Sequence, residues 1–344
     1  MVLYAAAALL PLIFSGCLYA FVIQRRAAAA PSRWPHLVLG NALVLLVCLS
    51  VAFLMGETYY RFVYDATDSF SQTRTSGQWF ERHFQRNNAG FRDSVDYAFS
   101  RRSSTPRVTF VGDSFTAGHG IANVEDRFAN RVRAAKRGQW EVHVLAEVGR
   151  DTGAEIKLLR DLVREGYEFD RLGLVYCLND INDIVPAQQN IAARAGQRGR
   201  RPGFIVEHSF FINTAYYRPK ARLDPEVSQY YDFVRTAYDG PLWDQQRDRL
   251  REFHDTCQAS GGRPVVVTFP FMHSLGPDNP YRPIHNKLDE FWGELETPHL
   301  DLLPVFERHA GERLTVNRYD AHPNEQAHAI AAEAIREFLE QQLR

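Results

Sequence analysis

The sequence predicts an α/β chain: a three-layer α/β/α domain on a five-stranded parallel sheet, preceded by two transmembrane helices. Two observations carry this. Val2 to Ile23 and His36 to Met55 are almost wholly apolar, uncharged runs, each about long enough to cross a bilayer. After residue 104, short apolar segments alternate with helical patterns, the signature of parallel strands joined by crossover helices.

The two apolar runs flank a short loop carrying Arg25, Arg26 and Arg33. By the positive-inside rule that loop is cytoplasmic and both chain ends face outward. The bulk of the chain then lies outside the cytoplasmic membrane, in a bacterial periplasm or cell exterior. A cleaved signal peptide and a pair of buried core helices are the other readings of such runs. The first run is long for a signal peptide's apolar core and no charge precedes it. The length and continuity of both speak against core helices. Residues 1–56 thus form the membrane part. Residues 57–104 read as a juxtamembrane linker and lead-in, with Tyr59, Tyr60, Phe62 and Tyr64 expected at headgroup level. Residues 105–344 form the main domain.

Within that domain, strands are expected at Arg107–Val111, Glu141–Leu145, Leu172–Cys177, Pro264–Phe269 and Leu300–Leu303. Helices are expected at Asp126–Arg137, Gly153–Glu165, Leu242–Ala259, Pro283–Glu294 and Asn324–Leu343. The last carries an apolar stripe of Ala327, Ile330, Ala331, Ala334, Ile335, Phe338 and Leu339. Pro241 suits a first helical turn, and Gly261-Gly262 ends the same helix. Residues 183–240 fit no strand–helix unit and read as an insertion. Its first half is basic (Ala192 to Arg201) and its second aromatic (Phe204, Phe210, Phe211, Tyr216, Tyr217, Tyr230, Tyr231, Phe233). A lid over the site and a solvated loop with a small packed helix are both compatible with that composition.

Composition excludes several classes. Lys and Arg number 40 against 41 Asp and Glu, so net charge is −1 and nothing global points to nucleic acid. Of four cysteines, Cys17 and Cys48 fall in the apolar runs and Cys177 and Cys257 in the main domain. There is no disulfide framework and no Cys/His metal spacing.

The chemistry-bearing residues gather where strands end. In an open parallel sheet, ligands bind beyond the C-terminal edge. Ser114 follows the first strand, in Gly112-Asp113-Ser114; Gly149 follows the second; Asn179 follows the third. Two hundred residues later, Asp320-Ala321-His322 supplies a histidine with a carboxylate beside it. Serine is a weak nucleophile unless an oriented base takes its proton. Ester cleavage also needs donors aimed at the oxyanion of the tetrahedral intermediate. The N–H groups of Ser114 and Gly149 and the amide of Asn179 are candidates. Asp113 reads as a local hydrogen-bonding residue, and the other histidines as structural or exposed.

These blocks, in this order, resemble the SGNH (GDSL-type) hydrolases, whose signature residues are Ser, Gly, Asn and His. Gly112-Asp113-Ser114, Gly149, Asn179-Asp180 and His322-Pro323-Asn324 match the four blocks over Arg107 to Arg344. Asn87 to Asp93 is similar to the lead-in of membrane-anchored bacterial members. The resemblance implies a flavodoxin-like fold and a covalent mechanism. Ser114, His322 and Asp320 would be catalytic, with Ser114, Gly149 and Asn179 as the oxyanion hole, and no metal or cofactor. Two positions depart from the pattern. The family's Asp usually stands three residues before the His, where this chain has Tyr319, and Cys177 stands where a glycine is usual. The implied activity is deacylation of lipid or of O-acylated envelope glycan. O-acyl transfer by the same residues, a non-catalytic envelope scaffold and a soluble cytoplasmic enzyme are the alternatives.

Overall fold

The computed structural model describes residues 2–27, 33–101, 104–186, 202–223 and 225–343. The chain forms two compact units, Met1–Ala66 with Gln72–Gln78 and Gly199–Ala221, and Thr67–Ser71 with Trp79–Arg198 and Arg222–Arg344.

The first unit contains α1 (Val2–Ala27) and α2 (Arg33–Thr58), which pack against each other. Tyr4 Oη lies 3.1 Å from Thr58 Oγ1, so the start of α1 meets the end of α2 and the two run antiparallel. Only 6% of the most apolar stretch of each helix is buried, unlike a core helix, whose apolar side chains are covered. The helix does not end with the apolar run at Met55. α2 runs on to Thr58 and continues as a π-helical turn, Tyr59–Val63, because one glycine does not outweigh the helix formers around it.

The second unit is built on five parallel strands in the order β2-β1-β3-β4-β5. These are β1 (Arg107–Gly112), β2 (Glu141–Ala146), β3 (Arg171–Cys177), β4 (Arg263–Phe269) and β5 (His299–Asp301). β1 is buried along its whole length, its polar Arg107 and Thr109 included, so both of its faces are covered. β5 stops at Asp301, short of the expected Leu303. Pro304 pre-sets the first turn of a short helix over Leu303–Glu307, and a proline cannot extend a ladder.

The helices flanking the sheet include the crossovers α3 (Phe128–Ala135), α4 (Thr152–Arg164) and α5 (Pro241–Ala259), and the last helix, α6 (Glu325–Gln342). α3 packs against α6, and α4 against α5. The chain steps from β1 to β2 in one direction and from β2 to β3 in the other. Right-handed crossovers then put α3 on one face of the sheet and α4 and α5 on the opposite face. The reversal lies between β1 and β3, where an open sheet leaves its crevice. Asp151 caps α4, accepting the Ala154 N–H at 3.0 Å. Asn324 caps α6 and therefore stands just outside it, accepting the Ala327 N–H at 2.9 Å.

The insertion is helical where described: α7 (Phe204–His208), α8 (Phe210–Leu223) and α9 (Pro225–Ala237). The basic run Arg194 to Arg201 lies outside the described residues. Pro219 falls within α8 and interrupts its pattern, while Pro225 opens α9 as Pro241 opens α5.

Candidate active site

β1 delivers the serine. Gly112 ends the strand, Asp113 accepts the Phe115 N–H at 2.8 Å, and Ser114 opens a one-turn helix over Ser114–Ala117. Gly112 is required sterically. A Cβ there would lie 2.8 Å from the Val175 carbonyl oxygen of β3 and 2.9 Å from Thr116 Cβ. Gly112→Ala should therefore cost about 1–3 kcal/mol and lower Tm in thermal denaturation.

A two-stranded hairpin, β6 (Thr315–Asn317) and β7 (Asp320–Pro323), delivers the base. Asp320 and His322 are two residues apart on a strand, so both side chains point to the same face. The two-residue spacing is thus adequate. Asp320 Oδ1 accepts from both the backbone N–H of His322 at 3.1 Å and its ring Nδ1 at 2.6 Å. His322 Nε2 lies 2.8 Å from Ser114 Oγ. Ser114 Oγ also lies 3.3 Å from Asp113 Oδ2, a longer and weaker contact. All three of Ser114, His322 and Asp320 are buried.

The segment Thr67–Ser71 braces the hairpin. Thr67 Oγ1 donates to Asp320 Oδ2, the Ala321 N–H donates to Ser69 Oγ at 2.8 Å, and Asn317 Nδ2 donates to the Thr67 carbonyl at 3.1 Å. Burial opposes ionisation of Asp320, but His322 and His119 outweigh it and hold its carboxyl well below the usual range. Burial likewise depresses His322, and the Asp320 charge overrides it, so the imidazole is more basic than a free histidine.

His119 joins this group, although the sequence offered no reason to separate it from the other histidines. It is buried, its ring stacks on His322 with centroids 4.2 Å apart, and Nε2 lies 3.3 Å from Asp320 Oδ2. That distance is long for a hydrogen bond, so the contact is mainly dipole against charge. Phe115 stands against the His322 ring as well, at 5.3 Å, and Trp79 stacks on His119 at 5.8 Å. Burial, and then the neighbouring His322, pull the His119 pKa down, so His119 is neutral at pH 7. His119, Asp320 and His322 bring ligand atoms within 4.8 Å of one another. The two imidazoles are nearly parallel, at 17°, so their in-plane lone pairs do not converge on one ion.

Gly149 lies in the turn after β2 with φ +82°, a left-handed conformation that favours glycine, and an added Cβ would meet nothing within 4 Å. Asn179 lies in the turn after β3. Its side chain is next to Asp113 and its Oδ1 is buried without a partner. Both thus stand at the same sheet edge as Ser114. α9 borders this edge too, with Tyr230 Oη accepting from Asn182 at 2.9 Å and Tyr231 packed on Phe271.

The lead-in Asn87 to Asp93 supports the loop behind the serine. Arg92, almost fully buried, donates to the carbonyls of Gly118 at 2.6 Å and Ala117 at 3.2 Å. Asp93 is held by Arg127 at 3.1 Å and Arg133 at 2.6 Å.

Beneath the serine lies a set of buried carboxyls. Glu155 is fully buried and neither of its oxygens has a partner, while Asp180 Oδ2 accepts the Cys177 N–H at 2.8 Å. Burial, then Asp113 and Asp151, push the Glu155 pKa well up. A raised carboxyl pKa gives stability that is full below the unfolded value and is lost as pH rises through the folded value. Glu155→Gln should therefore raise Tm at pH 8 and leave it near wild type at pH 4.

No family model and no curated protein matches the chain. Among solved structures it is similar to a member of the lipolytic protein G-D-S-L family from Veillonella parvula, at 12% identity and TM-score 0.42. That match covers 68% of this chain and 97% of the other. It is also similar to the psychrotrophic esterase EstA from Pseudoalteromonas sp., at 13% identity and TM-score 0.42, over 69% and 98% of the two chains. A third is a carbohydrate acetylesterase family member from Sinorhizobium meliloti, at 13% identity and TM-score 0.39, over 70% and 99%.

Proposed function

We propose that the chain is a serine ester hydrolase of the SGNH type. It is anchored by α1 and α2 with its catalytic domain outside the cytoplasmic membrane, and it deacylates lipid or O-acylated envelope glycan. The observation that carries the reading is the buried chain of contacts from Ser114 Oγ through His322 to Asp320. The arginines at the facing helix ends, Arg25 and Arg26 on α1 and Arg33 on α2, support the orientation.

In this reading Ser114 Oγ attacks the acyl carbonyl carbon as its proton passes to His322 Nε2. The carbonyl π pair moves to oxygen, and the Ser114 N–H, the Gly149 N–H and the Asn179 amide stabilise that charge. One such donor is worth about 3 kcal/mol in the barrier. Collapse breaks the bond to the alkoxide, which takes the proton from His322. Water then attacks the acyl-serine with His322 again as base, releasing the acid and free Ser114. Asp320 fixes the ring tautomer and offsets the imidazolium charge.

His119 is a positioning residue in this scheme. It stacks on the base and gives Asp320 a neutral neighbour rather than a second cation. His119→Phe retains the ring and removes the nitrogen facing Asp320. It should lower kcat by roughly 10-fold through looser placement of Asp320. It should also move the acid limb of the pH profile upward, since the Asp320 charge then acts on His322 with less competition. A profile matching wild type would assign His119 to packing alone.

The test is hydrolysis of p-nitrophenyl acetate and longer acyl esters by the full chain in detergent micelles, beside Ser114→Ala. Serine-dependent turnover supports the reading, and folded protein without it contradicts the hydrolase.

A further inference from the structure

The end of α2 is clamped to a segment some 150 residues away in sequence, within the same compact unit. The Phe211 ring lies against Gly56, where an added Cβ would sit 3.1 Å from it. The same ring is 6.2 Å from that of Phe53 and stacks on Tyr60 at 5.7 Å. Glu57, fully buried, caps the first turn of α8. Its carboxylate accepts from Ser209 Oγ at 2.7 Å and from the N–H groups of Phe210 at 3.2 Å and Phe211 at 3.0 Å. Arg61 completes the clamp. It pairs with Glu57, donates to the His208 carbonyl at 2.9 Å, and lies over the Phe210 ring at 4.7 Å.

This fixes the depth of the segment. If α2 spans the bilayer from Trp34, its apolar stretch to Met55 matches the ~30 Å of hydrocarbon, and Phe53 stands in the last turn before the headgroups. Phe211 packs on Phe53 and so lies at that level. Phe204 stacks on His208, whose carbonyl Arg61 holds, and Phe204 and Ile205 are 61% and 55% exposed. The end of α2 and the turn after it also expose Tyr59, Phe62 and Val63. Two adjacent large apolar side chains at that level face lipid at lower cost than water. Tyr216 and Lys220 are exposed on α8 and suit the headgroup layer.

We infer that α7 and the start of α8 form a second membrane contact, seated in the interface of the bilayer that α1 and α2 cross, with Phe204 and Ile205 in the acyl–headgroup boundary. The inference rests on the membrane-spanning reading of α2. It makes the insertion a mooring, so the chain touches lipid both before the catalytic sheet and again between β3 and β4. A lipid surface is favoured over a second copy of the chain because Gly56, Glu57 and Arg61 tie the segment to the end of α2, which the spanning reading sets at the bilayer surface.

The test uses the full chain in nanodiscs of phosphatidylcholine and phosphatidylglycerol, with the exposed Cys17 and Cys48 replaced by serine; Cys177 and Cys257 are buried. A nitroxide is placed by Phe204→Cys, by Leu46→Cys as the spanning control, and by Glu333→Cys as the water control. Power-saturation EPR then compares collisions with oxygen, which partitions into lipid, and with a water-soluble nickel chelate. The oxygen-to-nickel ratio at position 204 should exceed that at 333 several-fold and approach that at 46. Equality of 204 with 333, while 46 reports lipid, overturns the second contact alone. Shielding of 204 from both probes also overturns it, in favour of a protein partner. A water-like signal at 46 overturns the spanning reading with it.

Discussion

Ser114→Ala is expected to reduce ester turnover by roughly 10⁴-fold or more, because no other group would accept the acyl chain. The fold should survive. The side chain is small, and its loss takes a partner from His322 Nε2 and the longer contact from Asp113 Oδ2, a cost of about 1–3 kcal/mol. Rate assays on p-nitrophenyl esters, paired with circular dichroism melting, check both halves. Loss of activity with an intact melt places the effect in the chemistry. An active Ser114→Ala enzyme would remove the serine from the mechanism.

Asp320→Asn is expected to lower kcat by roughly 10³–10⁴-fold and to move the pH profile. The base works only when neutral, so wild-type activity falls as pH drops through the His322 pKa. Asp320 outweighs burial and raises that pKa, so the fall begins above the point expected of a free histidine. With asparagine the charge is gone and burial dominates. The acid limb should then move to lower pH even as the maximum rate collapses. A second effect has the same origin. Thr67 Oγ1 donates to Asp320 Oδ2; an asparagine NH₂ at that place would reverse the bond, with Thr67 Oγ1 accepting and its hydroxyl hydrogen left to find another acceptor. A rate profile from pH 5 to 9 separates these outcomes. An unchanged acid limb would show that Asp320 does not set the basicity of the base.

Much of this site was legible because its residues lie on regular elements. The Phe110-Val111 end of β1 and the Gly112-Asp113-Ser114 turn locate the serine at the sheet's C-terminal edge. The same reading places Gly149 and Asn179 beside it. The Asp320–His322 spacing, unusual for the resembled pattern, is consistent with strand periodicity, which puts alternate residues on one face. What was hidden depends on contacts distant in sequence. His119 is set apart only by its stacking on a histidine some 200 residues later. Thr67–Ser71 has no periodicity, and its value lies in the hydrogen bonds it makes to the hairpin. The end of β5 was legible in Pro304 and was set two residues too far. In the insertion one small packed helix was among the readings; its further helices were not separated, and Pro219 interrupts the pattern of α8.

The most direct measurement of the central claim is labelling of the full-length, folded protein with a fluorophosphonate, followed by peptide mass spectrometry. A phosphonate on Ser114, formed faster at pH 8 than at pH 5.5 and lost in His322→Ala, is the expected result. Folded protein that takes no label, or takes it at another residue with Ser114 unmodified, would contradict a serine nucleophile at the end of β1.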